Sequence, residues 1–140
     1  MKVVIDSSVL ISAITHPGVC TDLLDTVVEN HTFIYSDYIL EEVSRKLHEK
    51  FQFPKAKATA IATALKNQGD SVIPAAIPTK ACRDPNDLPV LGTALAGQVD
   101  FLVTVDKDIL SLGKFHGIPV IRSGEFLRRL RQSKRQFCIR

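Results

Sequence analysis

"FLVTVDKDIL", residues 101–110, sets an apolar run that reads as a fully buried strand, Phe101 to Val105, directly against Asp106, Lys107 and Asp108. A carboxylate beside such a strand is costly to bury without a compensating partner. The first residues repeat the arrangement, because Lys2 to Ile5 form an unbroken β-branched run that ends on Asp6. Strands that are apolar at every position, rather than at alternate ones, belong to parallel sheets covered on both faces. Two such strands, each delivering an acid at its C-terminal end, give both the fold class and the first chemical question.

Between them the chain alternates helical and extended patterns. Helices are expected over Ser8–Ile14, Cys20–Glu29 and, after Ser36 as N-cap, as far as about Lys50. Pro54 opens an alanine-rich helix. A helix begins at "DPND" with Asp84 as cap and Pro85 in its first turn, and stops at Gly97. Further strands are expected at Thr32–Tyr35, Ser71–Ile73 and Ile118–Ile121, with a short helix over Lys107–Leu112 and a last one after Ser123. The alternation predicts an α/β fold with a central parallel sheet between helical layers. No linker divides the chain, so one domain is expected over residues 1–127, followed by a basic tail over 128–140.

With 45% apolar and 24% charged residues the composition is that of a globular protein, and no apolar run is long enough to span a membrane. Cys20, Cys82 and Cys138 lack paired spacing, which argues against a disulfide framework or a zinc site and suits a reduced, cytoplasmic setting. His16, His31, His48 and His116 are scattered singly and read as surface or loop residues. Charge is unevenly spread. After Glu125 there are six Lys and Arg and no acid, so the first 125 residues hold 12 basic and 15 acidic side chains. A mildly acidic body with a basic end can grip phosphates, and the same cations can also favour a helix C-terminus.

In an open parallel sheet, ligands bind beyond the C-terminal ends of the strands. Asp6 and Asp106 belong at that edge. Asp87, in the first turn of its helix, and Glu41 and Glu42, early in the helix after Thr32–Tyr35, are expected to approach the same edge. Each has a structural explanation: Asp84 and Asp106 as N-caps, and Asp87, Asp108, Glu41 and Glu42 as partners of helix dipoles. Asp6 is the hardest to explain so, since Ser7 or Ser8 would cap equally well. Four carboxylates within about 5 Å would repel by roughly 3 kcal/mol per ionised pair at an effective dielectric near 20. Either some stay protonated or a divalent cation sits among them. Oxygen ligands without His or Cys point to Mg²⁺ or Mn²⁺, ions that typically serve phosphate chemistry.

"VVIDSSVLISA", "ILEEV", "DPNDLPVLGTALA" and "FLVTVDKDIL", in this order and spacing, resemble the successive motifs of PIN-domain proteins, and more narrowly the VapC-type toxins of bacterial and archaeal toxin–antitoxin systems. The resemblance runs to about Phe126. It implies a three-layer α/β/α PIN-like fold and a Mg²⁺- or Mn²⁺-dependent endoribonuclease. Its four metal-holding and catalytic acids fall on Asp6, Glu42, Asp87 and Asp106. Glu41 is an alternative to Glu42, Asp108 often matches an acid, and Asp84 belongs to the Asp-Pro motif. Ser7, Ser8 and Thr104 are candidates for orienting the acids. Lys107, Arg83, Arg128, Arg129 and Arg131 are candidates for holding RNA. The family usually has Asn where this chain has Ser8, and a hydroxyl offers one donor where the amide offers two. The resemblance also implies a small antitoxin partner that lays a helix in a groove, and it is compatible with a homodimer. A weakened PIN-like module that binds RNA or a protein without cutting is the rival expectation. Receiver domains and haloacid-dehalogenase-type phosphatases need a second acid where Ser7 and Ser8 stand.

Overall fold

The computed structural model describes the backbone of residues 1–138 and side chains as far as residue 132. Lys134, Arg135 and Arg140 of the expected basic tail, and Cys138, therefore carry side chains outside the described residues. The elements run β1 (Lys2–Ile5), α1 (Ser7–Thr15), α2 (Val19–Asn30), β2 (Thr32–Tyr35), α3 (Asp37–Glu49), α4 (Lys55–Lys66) and β3 (Asp70–Ser71). Then follow 3₁₀ turns at Thr79–Ala81 and Pro85–Asp87, α5 (Leu88–Gly97), β4 (Phe101–Thr104), α6 (Lys107–Leu110), β5 (Lys114–Phe115), β6 (Ile118–Arg122) and α7 (Ser123–Cys138).

The sheet has the order β3-β2-β1-β4-β6-β5. All pairings are parallel except that of β5 with β6. The connections move outward from β1 through β2 to β3, then return to the other side of β1 at β4. Right-handed crossovers in opposite directions must use opposite faces of the sheet. Accordingly α5, on the returning connection, packs on β1 and β2, while α7 packs with α2 as well as with β4 and β6. The result is a three-layer α/β/α fold. Val3, Val4, Ile5, Phe33, Ile34, Leu102 and Val103 are each at most 4% exposed, as strands covered on both faces require. Every such side chain contributes roughly 1.5–3 kcal/mol of burial.

Several expectations need correction. Strand β4 ends at Thr104, and Val105 is 39% exposed, because the chain leaves the sheet once Thr104 has paired with Arg122. The strand expected at Ser71–Ile73 is instead Asp70–Ser71, with Ile73 largely in solvent. The short helix stops at Leu110 rather than Leu112, and β5 makes the sheet mostly, not wholly, parallel. Ser36 occupies the N-cap of α3, yet its hydroxyl makes no cap bond; it meets Thr93 Oγ1 of α5 at 2.7 Å. Gly97 is the last residue of α5, and the left-handed position after it falls to Gln98, at φ 48°. A Cβ on Gly97 would lie 2.8 Å from Ile34 Cγ2, so the glycine serves close packing instead of the turn. The expected boundary at residues 127 and 128 falls inside α7, where Leu130 still joins the core.

Candidate metal centre

β1 and β4 are neighbours where the strand order reverses, with Ile5 opposite Val103. Such a reversal leaves a crevice at the C-terminal edge of the sheet. The register carries the chain onward so that Asp6 N donates to Val103 O at 2.9 Å. Asp6 and Thr104 thereby meet, although 98 residues separate them.

Asp6 does cap α1, a role that Ser7 or Ser8 could equally have filled. Its Oδ1 accepts from Ser7 N at 2.7 Å. Its Oδ2 accepts from Thr104 Oγ1 at 2.9 Å and from Ser8 Oγ at 3.2 Å. Ser8 thus supports Asp6 in the place where the family usually has Asn. Thr104 is fully buried, and the same oxygen accepts from Asp106 N at 3.0 Å, so one hydroxyl fixes both strand-end acids. Asp106 in turn caps α6 through Oδ1, at 2.8 Å from Asp108 N. Capping and cleft placement are compatible here, because a carboxylate at a helix N-terminus uses one oxygen for the amides.

Asp87 ends the 3₁₀ turn that Asp84 begins, where Asp84 Oδ1 accepts from Asn86 N at 2.9 Å. It is 9% exposed. Among the described residues its carboxylate receives only the Cys82 thiol, a weak donor, at 3.8 Å. Oxygens of Asp87, Asp106 and Asp108 all lie within 4.8 Å of one another. Asp6 and Glu42 stand outside that tight group but line the same cleft, together with Ser7, Ser8, Tyr38, Asp84, Asn86 and Val90. The cleft has a volume of about 320 Å³. Glu42 is bridged to Lys46 Nζ at 2.6 Å. Glu41 is exposed and lines a different hollow with His48 and Lys55.

The electrostatics of the cluster are unrelieved. Burial, then the charges of Asp106, Asp84, Asp6 and Asp108, push the Asp87 carboxyl up to about 7. Burial also raises Asp6, and Glu42 adds to it, against the lowering effect of the bonds from Thr104, Ser7 and Ser8. Burial first, and then the Glu42 charge, raises the Tyr38 phenol, which donates to Asn86 O at 3.0 Å. The Cys82 thiol is raised, chiefly by burial, so it faces Asp87 as a neutral donor and not as a thiolate.

These donors fit a hard divalent cation. All are oxygens, and opposite ligands of a six-coordinate Mg²⁺ or Mn²⁺ stand about 4.2 Å apart, twice a bond of about 2.1 Å. The oxygens of Asp87, Asp106 and Asp108 lie within 4.8 Å of one another, a spread close to that span. A cation there would relieve the repulsion that raises Asp87.

None of the cations expected to hold RNA lines this cleft. Arg83 and Lys107 are exposed beside it in sequence. Arg129 pairs with Glu125 at 3.3 Å and Arg131 with Asp22 at 3.3 Å, and Arg128 lies with Arg131 in a separate hollow beside Val19. The sequence reading missed Cys82, Tyr38, Arg45, Lys46 and Lys50, all of which reach the site or its rim. Spacing could have found two of them: Lys46 and Lys50 continue the row of Glu42 at four-residue steps.

Residues 2–108 match a family model described as the PIN domain. The chain is also similar to a crystal structure of VapBC2 from Rickettsia felis bound to a DNA fragment from its promoter. The TM-score is 0.63 at 16% identity, covering 87% of this chain and 98% of that one, which is a likeness of fold. No curated protein matches the sequence.

Proposed function

The chain belongs to the PIN domain family, and from that premise we propose that it is a Mg²⁺- or Mn²⁺-dependent endoribonuclease acting as the toxin of a toxin–antitoxin pair. The observation that carries the reading is the buried, poorly solvated Asp87 carboxylate packed against Asp106 and Asp108. Asp6, Glu42, Asp87 and Asp106 would hold the metal, with Asp108 able to join them. When bound, the ion supplies an activated water and neutralises charge on the leaving oxygen of a phosphodiester. No side chain is required as nucleophile. Thr104 donates to the Asp6 carboxylate and accepts from the Asp106 backbone N–H, Ser8 adds a second hydroxyl to Asp6, and the amides of α6 hold the Asp106 carboxylate. Asp84 and the Cys82 thiol shape the approach to Asp87.

The test is cleavage of single-stranded RNA with Mn²⁺, with Mg²⁺ and with EDTA. Cutting is expected with either metal, none with EDTA, and none by Asp6→Asn or Asp106→Asn. Undiminished cleavage by those variants would refute the assignment. Metal affinity without turnover on any RNA would favour the rival binding module. The antitoxin partner rests on the resemblance to VapC-type toxins and on the fold shared with VapBC2. Induction in a bacterial host should arrest growth, and co-expression of a short neighbouring reading frame should relieve it. No helix among the described residues is long and apolar enough to cross a membrane.

A further inference from the structure

The cleft is two-sided in charge. Asp6, Asp84, Asp87 and Asp106 come from strand ends and the turn before α5, whereas every cation among its lining residues, Arg45, Lys46 and Lys50, comes from α3 or its C-cap. Glu42, Lys46 and Lys50 succeed one another at four-residue intervals, so they form one row along the helix with a rise of about 6 Å per step. Glu42 lies at the acidic end, and the cations lead away from it.

We propose that Arg45, Lys46 and Lys50 form a phosphate-gripping rim for the backbone of single-stranded RNA, flanking the phosphate that lies at the acids. The proposal rests on the nuclease reading and adds to it where the substrate lies.

Local pairing does not account for the row. The Arg45–Glu49 contact is 3.6 Å between side chains that are each 58% exposed, a geometry that contributes little and leaves the guanidinium free to turn. Lys50 pairs with no carboxylate among the described residues. Lys46 is the most enclosed of the three, 27% exposed on its side chain, and stands at the border between the two halves of the cleft. Its tie is to Glu42, one of the acids that would hold a cation, and a cation there would compete with Lys46 for that carboxylate and leave the ammonium for a phosphate. An extended polyanion is the ligand that uses both halves: one phosphate at the acids through the metal, the next ones on the rim. A double-stranded helix is a poorer fit to a recess of about 320 Å³. The rim reads backbone and not bases, so it confers affinity without sequence preference.

The experiment measures binding of a short fluorescein-labelled single-stranded RNA by anisotropy, in EDTA to prevent cleavage, over a range of salt. The full-length protein is compared with Arg45→Gln/Lys46→Gln/Lys50→Gln, with Lys50→Gln alone, with Lys46→Arg/Lys50→Arg, and with Arg128→Gln/Arg129→Gln/Arg131→Gln. The triple rim variant should bind at least about tenfold more weakly at low salt, and its log–log salt slope should shrink by about 2, given about 0.7 per single-strand phosphate contact. Lys50→Gln, an exposed change harmless to folding, should lose about 0.7 of that slope, and the arginine variant should keep both affinity and slope. An unmoved slope in both glutamine variants of α3, with binding lost instead in the α7 variant, would overturn the rim and leave the nuclease reading intact. Failure of the unmodified protein to bind RNA in EDTA, and equally with Ca²⁺ in its place, would bring down both.

Discussion

Replacing Asp87 by Asn tests the electrostatic core of the site without assaying catalysis. Asp87 is 9% exposed, and its carboxyl is raised from 3.8 to about 7, first by burial and then by neighbouring acids. Its folded pKa lies above its unfolded one. The folded chain therefore binds more protons between about pH 4 and pH 7, and metal-free stability must fall as pH rises through that window. The rise is worth at most about 4 kcal/mol at about 1.4 kcal/mol per pH unit. Solvent around the half-exposed Asp84, Asp106 and Asp108 screens their share, which leaves about 2 kcal/mol as the working figure. Against a total stability of about 5–15 kcal/mol this is a large fraction. In urea with EDTA at pH 8, Asp87→Asn should unfold at a midpoint about 1 M higher than the parent, given typical slopes of about 1–3 kcal/mol/M. At pH 4 the two should nearly coincide. Saturating Mn²⁺ should stabilise the parent by about 2.7 kcal/mol at a hundredfold excess over Kd, and the variant by much less. A variant no more stable than the parent at pH 8 in EDTA, or a parent that gains stability between pH 5 and 8, would refute the reasoning.

Thr104→Val keeps the shape of the side chain but removes the donor to Asp6 and the acceptor for Asp106 N; it should cost about 1–3 kcal/mol in urea and 10- to 100-fold in Mn²⁺ affinity by calorimetry, with Thr104→Ser retaining most of both. Glu42→Gln should weaken Mn²⁺ binding measurably in the same titration, whereas Glu41→Gln, in a different hollow, should leave it unchanged. Gln98→Gly should relieve the left-handed residue after α5 and raise the thermal midpoint by about 2–4 °C, a gain of about 0.5–1 kcal/mol. Gly97→Ala, next to it, should lower the midpoint, because the added methyl meets Ile34 at 2.8 Å and overpacking costs about 1–3 kcal/mol.

The central strands were legible because burial on both faces leaves an unbroken apolar run, and because each ends on a charged residue that the core would reject. That logic located Asp6 and Asp106 and, from the strand edge, Asp87. It could not choose between Glu41 and Glu42, since adjacent helical residues differ by about 100° in direction and only the packing of Leu40 and Val43 fixes which one turns inward. Nor could it foresee that Asp108, read first as a helix-dipole residue, stands in the tight group with Asp87 and Asp106 while Asp6 lies outside it. Cys82 gave no signal, because a single thiol five residues from an acid acquires meaning only when the turn folds it back to Asp87. Two-residue β5 was invisible for a different reason: a segment so short has no periodicity, and its pairing with β6 follows from the turn at His116–Gly117, both at positive φ. Capping signals were ambiguous in kind. Ser36 has the right position but its hydroxyl oxygen accepts from Thr93 instead of a helix amide, while Asp6 caps α1 although two serines follow it.

The pairing of β1 with β4 also governs when the cluster can exist. Thr104 lies 98 residues beyond the Asp6 it holds, and at roughly 5–20 residues per second a ribosome needs about 5–20 s to bridge that interval. During translation the early half of the chain carries Asp6 and Glu42 but neither the turn that holds Asp87 nor β4. The assembled pocket arises only once the late strand has slotted in beside the first, so a truncated or half-made polypeptide lacks the gathered acids.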